Sequence, residues 1–96
     1  MTELPIPPEA SDSKRADELF RGWIIDNSLV CSLRPDFWES DPSQWGTLLA
    51  DALHHVCEAL AAETNDDKAD LKRGMVESFM KEVRSPTGDH WGEFVD

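Results

Sequence analysis

A chain of 96 residues can build one small hydrophobic core but not two. With 40% hydrophobic and 30% charged side chains, its composition is globular rather than disordered. Nine basic against twenty acidic side chains give a formal net charge of −11, a field that repels phosphate and so argues against nucleic acid or an anionic membrane surface as partner.

No apolar run reaches the ~18–20 residues that a bilayer-spanning helix needs. The opening "MTELPIPPEA" has neither the basic start nor the apolar stretch of a signal peptide, so a cytoplasmic protein is expected. Cys31 and Cys57 suit that compartment as reduced thiols, and they lie too far apart for a metal finger or a dithiol motif. The acidity reads most simply as solubility. A sharper reading is a surface for a basic protein partner, with mimicry of nucleic acid as its extreme form.

Residues 1–12 carry "LPIPP", where proline fixes φ and removes backbone donors, so an extended Pro-rich strap is expected. Two readings of the next segment compete. As a helix from Ser13, it places Ala16, Leu19, Phe20, Trp23 and Ile24 on one face. As a strand, "LFRGWII" is rich in aromatic and β-branched residues, and "DNS" then leads into "LVCSLRP", which alternates with strand periodicity. A strand needs a neighbour for its backbone groups, and Gly22 weakens a helix more than a bent strand. A β-hairpin over about 18–34 is the better reading. Should the first run be helical, the second would have to pair elsewhere, for example with its own copy in a dimer.

"RPDFWESDP" is a connection whose Phe37 and Trp38 pack over one end of the core. Asp41 as N-cap, Pro42 at the first helical position and Gln44 three residues after the cap announce a helix over about 42–63. Its apolar face carries Trp45, Leu48, Leu49, Ala52, Leu53, Val56, Ala59 and Leu60, and points near Val56. A second helix over about 66–84 repeats Leu71, Met75, Phe79 and Val83, with Val76 and Met80 widening the stripe. Lys81 and Arg84 in its last turn suit the helix dipole. A C-terminal tail over 85–96 follows, whose Trp91 and Phe94 are costly to leave in water and make a candidate interface.

The stretch "DALHHVCE" concentrates the chain's ligand-type side chains. At about 100° per residue, His54 falls opposite the apolar face and Cys57 on a separate flank. Asp51, His55 and Glu58 share the remaining flank, because i+3 and i+4 neighbours stack. With His90 these are the candidate metal ligands. Zinc sites, however, take three or four ligands in a dry cavity, and bundle sites draw them from several helices. A solvated helix face is the simpler reading. No nucleophile elbow, glycine-rich phosphate loop or spaced carboxylate pair appears, so neither an enzyme nor a cofactor is expected.

"ELPIPPEA", "VCSLRPDFW" and "DPSQWGTLLADALHHV" together resemble a family of small uncharacterised bacterial proteins, a domain of unknown function. The resemblance covers residues 3–60 well and the second helix loosely. It implies a bacterial cytoplasmic protein with a strand pair ahead of a helix, and brings no activity, cofactor or site residue.

The expected architecture is a single small α+β domain over 13–96, its β-hairpin packed on two antiparallel helices, with the strap ahead of it. So thin an arrangement leaves apolar surface uncovered, which self-association as a two-fold dimer would cover. The expected role is a non-enzymatic protein-interaction module acting as a homodimer. The alternative is a metal- or small-ligand-binding protein using Asp51, His55 and Glu58.

Overall fold

The computed structural model describes residues 1–86 and the backbone of residues 94–95. The fold is α+β: a two-stranded antiparallel hairpin and two main helices stand where the residue pattern expects them. Chain contacts divide it into two compact units, Met1–Phe37 with Gly92–Asp96, and Trp38–Trp91.

In the first unit, residues 1–7 are extended, as the prolines require. The strap ends sooner than the expected residue 12, because Pro8–Ser11 forms a one-turn helix, α1, with proline at its first position. Strands β1 (Phe20–Ile25) and β2 (Ser28–Leu33) pair antiparallel, from Phe20 with Leu33 to Ile25 with Ser28. The helical reading of residues 13–25 is thereby excluded for β1. Asp26 and Asn27 form the turn, both left-handed at φ 50° and 67°, the two-residue type I′ geometry whose twist matches a hairpin. Asn and Asp tolerate that region because their short polar side chains bond locally.

The register fixes which backbone groups face inward. Ile25 and Ser28 flank the turn and exchange hydrogen bonds, so the bonded pairs alternate from there. The Arg34 amide donates to the Leu19 carbonyl at 3.0 Å, six residues along in the same phase. Arg21, Trp23 and Ile25 therefore bond to β2, while the backbone groups of Phe20, Gly22 and Ile24 point the other way. On β2's far side the backbone of β3 (Phe94–Val95) pairs in parallel, Cys31 with Phe94 and Ser32 with Val95. The tail thus supplies a short strand that its sequence did not announce. Cys31, 8% exposed, is the buried residue among the described residues of this unit.

The second unit is a helical hairpin. Helix α2 (Pro42–Thr64) begins at Asp41, whose carboxylate accepts from the Ser43 amide (3.0 Å) and hydroxyl (2.6 Å). It stops at Asn65, left-handed at φ 61°, whose amide returns to the Ala61 carbonyl. Asp67 then caps α3 (Lys68–Arg84), accepting from the Ala69 and Asp70 amides at 2.8 and 3.1 Å. Cys57 Sγ meets Met75 Sδ at 3.8 Å. The two residues are equally far from the connection along their helices, the register of an antiparallel pair.

One sequence expectation about α2 is reversed. Cys57 is 2% exposed and forms the centre of the helix contact, whereas Val56 is 47% exposed. The α2 apolar arc is wider than the surface α3 covers: Leu53, Cys57, Leu60 and Ala61 lie on the covered side, and Leu49 and Val56 on the open one. On α3, Leu71 and Met75 are half-buried, and Val76, Phe79, Met80 and Val83 are exposed. Trp38 stacks edge-on against Trp45, ring centroids 5.3 Å apart at 80°, and both rings are half-buried.

Candidate functional site

The flank singled out in the sequence is exposed. Asp51, His55 and Glu58 all lie on the open surface of α2. Glu58 reaches across to Lys68 at 3.8 Å, a solvated pair worth little. A shallow hollow of about 270 Å³ opens between the helices beside His54, Cys57, Glu58, Lys68 and Lys72. Its two lysines make it a poor cation site. Among the described residues, no three His, Cys, Asp or Glu side chains converge in a way that would hold a metal ion. His90 and Trp91 lie outside the described residues, as does the side chain of Phe94.

The larger concavity belongs to the first unit and was not foreseen. A groove of about 740 Å³ runs between the strap and β1, a volume within the usual range for ligand pockets. Leu4, Pro5, Ile6 and Pro7 form one wall, and Phe20, Gly22 and the half-buried Trp23 form the other. Arg21 bridges the two sides. Its Nε and Nη2 donate to Glu18 Oε1 and Oε2 at 2.8 and 3.0 Å, a bidentate fork, and Nη1 reaches Glu3 Oε2 at 3.4 Å. The Glu18 hydrogen bond, then its charge, raises the Arg21 pKa above its already high ordinary value. This cation is already matched by two carboxylates, so the groove has no spare positive charge for an anion.

The sequence signals for this groove were the prolines and the aromatic run, each seen separately. Their meeting depends on the Glu3–Arg21 contact, eighteen residues apart in sequence, which no periodicity reports. Gly22 also has a local reason. A β-carbon there would lie 2.9 Å from the Phe20 ring and 3.3 Å from Leu29 Cδ1, so the ring lies over bare backbone.

Among the described residues, nothing in this geometry pairs a nucleophile with a base. What the first unit does offer, among the described residues, is a strand with one unpaired edge and exposed apolar side chains: Phe20 at 45% and Ile24 at 73%. No helix among the described residues is long and apolar enough to cross a membrane.

No curated protein matches the chain. Among solved structures, it is similar to a protein of the photosynthetic bacterium Rhodopseudomonas palustrus CGA009 that is provisionally named a pyruvate dehydrogenase. The two are 27% identical with a TM-score of 0.74, over 100% of this chain and 97% of that one. The hairpin, both helices and the strap from residue 3 on fall within residues 3–87, which match the family described as Domain of unknown function (DUF5076), and the chain belongs to that family.

Proposed function

We propose that the chain is a non-enzymatic protein-interaction module that acts as a homodimer in the bacterial cytoplasm. The observation that carries this reading is the amount of apolar surface left uncovered. Among the described residues only Cys31 and Cys57 are buried, while Ile24, Leu29, Leu49, Val56, Phe79 and Val83 are between 46% and 73% exposed. Ile24 and Leu29 are cross-strand partners, so their exposed side chains form one patch, the kind of surface that marks an interaction site. Both thiols are free, as suits a reducing compartment. The net charge of −11 suits a basic protein as any further partner.

Sedimentation velocity on untagged protein, across a wide concentration range, tests the reading. The expected result is a species of twice the 10.8 kDa chain mass that dissociates on dilution. A monomer at every concentration would remove the homodimer from the account.

A further inference from the structure

We infer that the open edge of β1 is the dimer surface, taken by β1 of a second copy running antiparallel to it. The inference rests on the self-association proposed above and names where it occurs.

The strand order is β1, β2, β3, so β2 is filled on both sides and β1 on one. The hairpin phase directs the amides and carbonyls of Phe20, Gly22 and Ile24 toward the unfilled side. Natural sheets blunt such edges with proline, lysine, bulges or a covering segment. Strand β1, "FRGWII", contains no proline or lysine and pairs residue for residue with β2, without a bulge. The strap faces β1 across the groove, held through the exposed Arg21–Glu3 pair, and must swing aside for a second strand; it is itself chemically unable to fill the edge. Pro5 and Pro7, two apart, remove both donors from one side of an extended chain. Among the described residues no backbone hydrogen bond joins the strap to β1.

The occupant follows from the side-chain pattern. In a two-fold pairing centred on Gly22, Gly22 faces its own copy, and Phe20 faces the second copy's Ile24. Both are residues whose backbone groups point outward, so each bonded pair is satisfied in that register. On that face an exposed aromatic meets an exposed β-branched side chain, a favourable cross-strand pair. On the opposite face Arg21, held by Glu18 and Glu3, comes to lie opposite the second copy's half-buried Trp23. Gly22 at the centre carries no side chain of its own on the Phe20–Ile24 face, where the Phe20 ring lies over its backbone. Other symmetric centres, at Phe20 or Ile24, run one half of the pairing out of the strand. Centred on Gly22, the pairing joins Phe20 through Ile24 with three hydrogen-bonded pairs, against two for a centre at Trp23, and the two-fold axis repeats the Phe20–Ile24 and Arg21–Trp23 contacts. The result is one continuous sheet through both copies.

Two measurements decide it. Amide exchange followed by NMR on the native protein reads Phe20, Gly22 and Ile24 directly. They are expected to be protected alongside Arg21, Trp23 and Ile25, and to lose protection on dilution while the inward set keeps it. Fast exchange of the outward set in a sample shown to be dimeric overturns the edge and leaves self-association standing; a sample that never dimerises overturns both. Ile24→Pro removes an outward donor without touching a β1–β2 bond. It is expected to weaken the dimer at least tenfold with an unchanged far-UV spectrum. A folded variant with undiminished dimerisation refutes the edge, and if the variant fails to fold, the exchange experiment decides alone.

Discussion

Replacing Cys57 tests the packing of the helical hairpin, because the thiol is 2% exposed and sits against Met75. Cys57→Ala deletes one sulfur, a loss of transfer free energy of ~1 kcal/mol by analogy with a buried methylene. A residual cavity of about one atom adds a further ~0.5 kcal/mol. The sum, about 1.5 kcal/mol, corresponds to a fall in Tm of roughly 6–12 °C for a chain this size. Cys57→Ser keeps the volume but buries a hydroxyl facing a thioether, a weak acceptor. Its best partner is the Leu53 carbonyl one turn earlier, so its cost falls within about 1–3 kcal/mol. Val56→Ala, one residue away at 47% exposure, is the control and should stay within about 0.5 kcal/mol. Thermal and urea unfolding of the three variants measures this. A Val56→Ala effect larger than that of Cys57→Ala would show that α2 is rotated from the orientation described.

The remaining predictions concern the turn, a cap and the histidine flank. Asn27→Val puts a β-branched residue at φ 67° and should cost about 1–2 kcal/mol in denaturant unfolding, whereas Asn27→Gly should be neutral or stabilising. The Asp41 carboxyl is held below its usual pKa, first by the Ser43 hydroxyl and then by the Ser43 amide. A lowered folded-state pKa contributes stability that is present above the unfolded value near ~4 and is lost as pH falls through the folded one. Asp41→Asn should therefore flatten the acid limb of a stability–pH curve, and an unchanged limb would refute the cap's role in it. Chelator treatment and His55→Ala should each leave the melting curve unchanged; a drop with both would restore the metal reading of Asp51, His55 and Glu58.

The helices and the hairpin were legible because their signals are local. Asp41–Pro42 starts α2, the fourfold repeat from Leu71 draws α3, and "DNS" between alternating runs makes the turn. The orientation of α2 was not legible. Its apolar arc is wide enough for two neighbours, and hydrophobicity alone averages them, so the pattern centres on Val56 while the contact with α3 centres on Cys57. Strand β3 was missed because two residues of backbone pairing leave no periodicity. The histidine flank was conspicuous in sequence since polar residues crowd there, but crowding along a helix is not convergence in space. The edge of β1 gave the opposite case. Its residues were noted as strand formers, yet its open side appears only once strand order is known.

The account turns on two copies meeting at β1, and an isotope-filtered NOE experiment on a mixed dimer of labelled and unlabelled chains addresses it most directly. The isotope filter matters, because within one chain the Phe20 ring already lies over Gly22 on the face that Ile24 shares, and only signals between chains report the pairing. Across the proposed pairing Phe20 and Ile24 are direct neighbours. Cross-peaks between the Phe20 ring of one copy and the Ile24 methyls of the other are the predicted result. Intermolecular signals confined to the helical side chains Val56, Val76 and Val83 would contradict it.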